Sequence, residues 1–216
     1  MPEDKGPVVF IVDDDTQVST ALSRLVRSAG FNVETYASAE DFFGRHRANI
    51  PGCIILDVAL GDSNGLDIQR RLNFEDCVHP IIFISGQSEL YTSVQAMKAG
   101  AVDFLAKPVS ADNLFEAIYA AIEKDRIMRL HLNERLIVKR RIARLTPREY
   151  EVLVLVVRGK LNKQIAFELG IVEKTAKVHR GRVMAKMRAR NVAELVQMVQ
   201  HAGIVTQSEE PPNASQ

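Results

Sequence analysis

Apolar residues gather in five short runs along the first half of the chain: Val8 to Val12, Val33 to Tyr36, Cys53 to Leu56, Ile81 to Ser85 and Val102 to Leu105. These runs are mostly continuous and rich in β-branched residues, which predicts strands buried on both faces. Between them, apolar positions recur at helical spacing. The expected helices are about Gln17 to Ala29 closed by Gly30, Ala39 to Arg47 opened by Ser38 with Asp41 three residues on, Leu66 to Phe74, Glu89 to Ala99 closed by Gly100, and Asp112 onward. Strands of this kind alternating with helices predict a five-stranded parallel sheet covered on both sides, an α/β domain over residues 6–122.

The helical pattern then continues past the point where that domain should end. No Gly or Pro occurs between Ala121 and Leu145, and good helix formers dominate, so residues 123–141 are expected to be a helical linker. Two readings of it stand side by side: a solvated spacer, or a helix that dimerises through Ile122, Leu130 and Leu132 or Ile137. Beyond it, Thr146, Pro147 and Glu149 form a capping box with Pro at the first helical position. Gly159 ends that helix, a second runs from Lys163 to Leu169 and stops at Gly170, a third from Glu173 to about Arg188, and a fourth from Val192 to His201. Two helices joined by a Gly-containing turn predict a helix-turn-helix within a small all-α domain at 142–204. The tail 205–216, polar, acidic and Pro-bearing, is expected to be disordered.

Charge sharpens this division. The chain of 216 residues has a formal net charge of +1, yet Lys139 to Arg190 holds 15 Lys and Arg against 4 Glu, a balance of +11 that leaves the remainder at −10. One end wants a polyanion and the other wants cations. The start MPEDKGP is short and polar and precedes only five apolar residues, so it reads as neither a signal peptide nor a membrane anchor, and a cytoplasmic protein is expected. Cys53 lies in an apolar run and Cys77 beside His79 and Pro80; without metal-site spacing both read as packed thiols.

The acidic end carries the chemistry. Asp13, Asp14 and Asp15 follow the first strand, Asp57 the third, Ser85 the fourth and Lys107 the fifth. In an open parallel sheet, ligands bind outside the carboxyl ends of the strands, so these residues can meet in one crevice. Three successive carboxylates repel one another unless a cation sits among them, and hard oxygen donors with few other ligands suit Mg²⁺. Asp57 can act as a carboxylate nucleophile toward phosphorus, while Mg²⁺ and Lys107 neutralise the transferred oxygens. At the basic end, the helix EKTAKVHRGRVMAKMRAR carries Lys174, Lys177, Arg180, Arg182 and Lys186 and reads as a recognition helix in a major groove.

Asp13 and Asp14, the segment LDVALGDSNGLD with Asp57, FISG with Ser85, and AVDFLAKP with Lys107 resemble the receiver domain of bacterial response regulators. LTPREYEVL and NKQIAFELGIVEKTAKVHRGRV are similar to the LuxR-type helix-turn-helix, so the chain is identified as a member of the NarL/FixJ group. The resemblance implies a flavodoxin-like, doubly wound receiver, a four-helix DNA-binding domain and a bacterial two-component transcriptional regulator rather than a turnover enzyme. It implies that a sensor histidine kinase phosphorylates Asp57. Asp14, Asp57 and the Ala59 carbonyl would bind Mg²⁺, with Asp13 acting through water, and Ser85 and Phe104 would form a switch pair. In the second domain, Lys177 and Val178 would face base edges of promoter DNA. Thr175, Arg180 and Arg182 would contact phosphate or base, and His179 would pack or touch phosphate. Homodimerisation on phosphorylation is expected, with RNA polymerase a further candidate partner.

Four departures from the family pattern stand out: Gly61 where Pro is usual, Phe104 for Tyr, Val172 where a Ser N-cap is usual, and Gly181 where some relatives carry Lys. A haloacid-dehalogenase-like phosphatase also uses strand-end Asp, Mg²⁺ and Lys, but Gln17 stands where that pattern wants Thr or Val. A third reading keeps the receiver as an unphosphorylated dimerisation scaffold.

Overall fold

In the computed structural model, the described residues are 6–203 apart from 62, 76, 78 and 87–89. The acidic tail expected at 205–216 lies outside them. The chain divides into two compact units between Arg129 and Leu130.

The first unit runs β1 (Val8–Val12), α1 (Thr16–Ser28), β2 (Asn32–Tyr36), α2 (Ala39–Arg45), β3 (Gly52–Asp57), a small hairpin of β4 (Ala59–Leu60) and β5 (Ser63–Asn64), α3 (Gly65–Phe74), β6 (Ile81–Ser85), α4 (Leu90–Lys98), β7 (Asp103–Ala106) and the first part of α5 (Ala111–Ile142). The large sheet has the order β2-β1-β3-β6-β7 with every pair parallel. From β1 the chain steps outward to β2, then returns across β1 to β3 and proceeds the other way. The strand order therefore reverses between β1 and β3, whose carboxyl ends carry Asp13, Asp14 and Asp57.

The fully apolar strands feed two cores. Phe10, Val12, Ile54, Leu56 and Phe83 pack on one face with Phe42, Ile68 and Leu72. Val9, Ile11, Ile55, Ile82 and Ile84 pack on the other with Leu22, Val26, Leu114 and Ile118. The period of two along each strand sends alternate residues to opposite sides, which is why no polar position interrupts the runs. Gly52 is required where β3 passes β1: a Cβ there would lie 1.9 Å from the Val8 carbonyl oxygen.

Most helix ends follow local chemistry. Asp15 caps α1, accepting from the backbone of Gln17 and Val18, and Gly30 leaves it at φ +87°. Ser38 caps α2 by accepting from Asp41 N–H. That helix stops at Arg45, short of the expected Arg47, because His46 turns extended and its ring stacks on Phe42 with centroids 4.4 Å apart. The first unit also reaches beyond the boundary expected at residue 122. Asp125 is buried and accepts from the Gly52 N–H at 3.0 Å, while Arg129 donates to the same carboxylate oxygen at 2.7 Å. One side chain thus holds the amide of Gly52 and ties a residue expected in the linker to the start of β3.

The second unit contains the last turns of α5, then α6 (Pro147–Val157), α7 (Asn162–Leu169), α8 (Glu173–Met187) and α9 (Val192–His201). Its core joins Val138 to Val152, Leu153, Val156, Ile165, Ala176, Val183, Leu195 and Val199. The capping box is formed as expected: Thr146 accepts from Glu149 N–H, and the Glu149 side chain accepts from Thr146 N–H. Gly170 adopts the left-handed conformation at φ +63° between α7 and α8, the turn that makes this pair a helix-turn-helix. Val172 caps α8 without a side-chain hydrogen bond.

Candidate functional site

At the point where strand order reverses, the carboxylates of Asp13, Asp14 and Asp57 offer oxygens within 4.8 Å of one another. Asp13 and Asp57 are buried and Asp14 is exposed. Lys107, delivered from the end of β7 ahead of a cis Pro108 peptide, places Nζ 2.8 Å from Asp57 Oδ2 and 3.0 Å from Asp13 Oδ2. Each contact is worth about 5.5–6 kcal/mol in gross Coulomb attraction at an effective dielectric near 20, before desolvation is subtracted. The repulsion between the two carboxylates, whose facing oxygens lie within 4.8 Å, is at least about 3.5 kcal/mol on the same scale and less than the two attractions together. Attraction therefore wins inside this trio.

Asp14 changes the balance. Its Oδ2 accepts only the Gly61 backbone N–H, at 3.1 Å, among the hydrogen bonds of the described residues. Three carboxylates and one ammonium leave two net negative charges at the mouth of the pocket, which fits a divalent cation. Burial raises the Asp13 pKa, and the hydrogen bonds from Lys107 and Asp15 N–H only partly offset it. A carboxylate raised in this way holds its proton more tightly when folded, so its ionisation subtracts stability as pH rises through the carboxylate range. For Lys107 burial acts downward, but the hydrogen bonds and charges of Asp57 and Asp13 outweigh it, and its pKa is raised. The ammonium stays charged at neutral pH.

The other expected site residues are placed as follows. Ser85 is buried at the carboxyl end of β6, and its carbonyl accepts the Lys107 N–H at 2.7 Å. Phe104 is half-buried on β7, beside Phe83 with ring centroids 6.2 Å apart. Ala59 lies just past Asp57 in the β4–β5 hairpin, paired with Asn64. Asp15, grouped with the acidic cluster on sequence, turns away from it to cap α1. The departure at Gly61 also gains a structural meaning. Gly61 sits at φ +54° and donates to Asp14, and Pro could do neither, since its ring fixes φ negative and it has no N–H.

In the second unit, Lys174, Lys177, Val178 and Arg182 are exposed on α8, with Thr175 half-buried, and Ala176, Val183 and Met187 face the core. Two of the remaining candidates are engaged within the unit. Arg180 donates to Asn162 on α7 at 3.0 Å. Lys186 reaches Glu149 Oε2 at 2.5 Å and the Arg144 carbonyl at 3.2 Å. His179 is half-buried, with its Nδ1 buried and lacking a hydrogen-bond partner among the described residues. Glu149, which is only 3% exposed, is the anchor that sequence reasoning read merely as a cap. Its carboxylate is held below the usual range, first by the Lys186 hydrogen bond and then by the Thr146 N–H.

Comparison with known proteins agrees with both units. The family model described as response regulator receiver domain matches residues 9–119, and the one described as bacterial regulatory proteins, luxR family, matches residues 143–199. Nodulation protein W of Bradyrhizobium diazoefficiens is 42% identical over 91% of this chain and 87% of its own length. The response regulator protein TodT of Pseudomonas putida is 43% identical over the same shares. Among solved structures, the response regulator StyR is similar at a TM-score of 0.77 and 40% identity, covering 90% of this chain and 98% of that one. Full-length FixJ from B. japonicum follows at 0.57 and 32%, covering 93% and 99%. Among the described residues, no helix is long and apolar enough to cross a membrane.

Proposed function

Because this chain belongs to the NarL/FixJ group of response regulators, transcriptional regulators of two-component systems that join a receiver to a LuxR-type DNA-binding domain, we propose that its output is switched by phosphorylation of Asp57. The donor is a sensor histidine kinase, and the reaction requires Mg²⁺. The observation that carries the reading is the convergence of Asp13, Asp14, Asp57 and Lys107 at one crevice with two uncompensated negative charges.

In this reading Asp57 is the nucleophile: its carboxylate oxygen bonds to phosphorus as the bond between phosphorus and the donor breaks. Asp14, Asp57 and the Ala59 carbonyl would hold Mg²⁺, with Asp13 acting through water. When bound, the ion supplies positive charge to the transferred oxygens. Lys107 exchanges its contact with Asp57 for one with the new phosphoryl group, whose charge exceeds that of the carboxylate it replaces. Ser85, at the end of the adjacent strand, donates its hydroxyl to the phosphoryl group. Phe104, only half-buried beside Phe83, moves inward with it. That rearrangement favours a homodimer, and two helix-turn-helix units then engage two half-sites of promoter DNA, Lys177 and Val178 at base edges and Lys174, Thr175 and Arg182 along the backbone. Contact with RNA polymerase follows at the promoter.

The test is intact mass and light scattering of the full chain with a small phosphodonor. With Mg²⁺, one phosphoryl group and a shift to dimer are expected. With the metal chelated, neither is expected. Equal uptake with and without Mg²⁺ would remove the acidic pocket from the mechanism.

A further inference from the structure

At the other end of the sheet, three metal-ligating side chains meet that sequence spacing keeps apart. His46 follows α2, while Cys77 and His79 precede β6; one ligand atom from each lies within 4.8 Å of the other two. His46 Nε2 is 3.0 Å from His79 Nδ1, and Cys77 Sγ is 3.7 Å from the same nitrogen. Tetrahedral coordination with metal–nitrogen bonds near 2.0–2.1 Å and metal–sulfur bonds near 2.3 Å implies ligand separations of about 3.3 Å for N–N and about 3.6 Å for N–S. Two of the three edges already match to within a few tenths of an ångström. A small movement of the Cys77 side chain closes the third.

The surroundings orient these atoms inward. His79 Nε2 lies 2.6 Å from the Ile50 carbonyl, an acceptor, and 2.8 Å from Arg129 Nη2, a donor, so the ring is held at Nε2 and its Nδ1 edge is turned to the cluster. An imidazole fixed by its second nitrogen on a backbone carbonyl is the usual support of a metal-binding histidine. Arg129 donates to the same Ile50 carbonyl at 2.8 Å and to that of Ala48 at 3.0 Å, and its charge is compensated by Asp125. Phe10 and Phe42 wall the His46 ring at centroid distances of 4.9 and 4.4 Å. His46 and Cys77 are only partly buried, so an ion can enter.

We propose that His46, Cys77 and His79 form a binding site for a borderline-soft divalent transition metal ion, with Zn²⁺ the type case, separate from the acidic pocket. Two nitrogens and one sulfur suit such an ion and not Mg²⁺, which prefers oxygen. The Cys77 thiol loses its proton to solvent as the sulfur–metal bond forms. The one proton held between the facing ring nitrogens moves to the far nitrogen of its own ring, so one proton is released per ion bound. Water fills the fourth position. The strands between the two sites are five or six residues long, a separation of about 17 Å, and the soft site does not share a ligand with the phosphoacceptor.

The experiment uses metal-free full-length protein with its acidic pocket kept filled by excess Mg²⁺, titrated with Co²⁺ as a coloured substitute for Zn²⁺. One Co²⁺ per chain is expected, with a thiolate-to-metal charge-transfer band that one equivalent of Zn²⁺ abolishes. Cys77→Ser and His46→Gln are each expected to lose the band and the bound equivalent while keeping wild-type circular dichroism and Mg²⁺-dependent phosphoryl uptake. A readout needing no variant runs alongside: one equivalent of Zn²⁺ should block alkylation of Cys77 in the wild type. No uptake, an unprotected Cys77, or uptake without a thiolate band that Asp57→Asn removes would each overturn the proposal.

Discussion

Asp57→Asn protein is expected to take up no phosphoryl group from a small donor in the presence of Mg²⁺, where the wild type takes up one, and to bind promoter DNA equally with and without the donor. The substitution changes little else. Asn keeps an oxygen that can accept from Lys107, now 2.8 Å from Asp57, and Lys107 keeps its second bond to Asp13 at 3.0 Å. What disappears is the anionic nucleophile and one of the three carboxylates at the pocket. Removing a repelling charge from beside Asp13, whose pKa is raised chiefly by burial and also by the Asp57 charge, should leave the thermal midpoint at or above that of the wild type. The pair of readouts separates loss of chemistry from loss of fold. Phosphoryl mass persisting in the variant would place the acceptor elsewhere, and donor-independent DNA binding in both proteins would favour the dimerisation scaffold over the switch.

The parts of this molecule that were legible in sequence are those set by local pattern. The five strands fall where the apolar runs are: β1, β3 and β6, buried along their whole length, announce themselves, while the edge strands β2 and β7 keep enough apolar positions to be found although they carry Glu34, Thr35 and Asp103. The crevice was legible too, since strand ends at a reversal of strand order converge whatever the intervening helices do. What stayed hidden depends on partners distant in the chain. Helix α2 ends early at His46, whose extended backbone lets its ring stack on Phe42 and meet His79, 33 residues on. The first unit extends to Arg129 because Asp125 binds an amide 73 residues earlier. Asp15 could not be separated from Asp13 and Asp14 by composition alone, because the same residue type serves as ligand and as helix cap. The histidine and cysteine cluster escaped for the same reason as α2: only the fold brings position 46 to positions 77 and 79.

The basic helix shows how charge alone leaves residues undistinguished. Lys177 and Lys186 are equivalent by sequence, both cations on the expected recognition helix, yet Lys177 is exposed and Lys186 bonds Glu149 and the Arg144 carbonyl. Their replacements by Met should therefore fail in different ways. Lys177→Met is expected to keep the wild-type melting temperature and lose DNA affinity, roughly tenfold or more if it reads a base edge. If it contacts phosphate instead, the slope of log affinity against log salt should fall by about 0.9, the share of one released counterion. Lys186→Met should leave the buried Glu149 carboxylate without its cation and lower stability of the second unit by about 1–3 kcal/mol. Its DNA affinity should be nearly that of the wild type below the melting range, with an unchanged salt slope. Thermal melting and salt titration on both variants check the assignment. A reduced salt slope for Lys186→Met would return that lysine to the DNA interface, and a stability loss for Lys177→Met would take that residue out of it. If both outcomes hold as expected, the recognition surface narrows to the exposed side of α8 from Lys174 to Arg182, and Glu149 becomes the residue that holds the helix in position to use it.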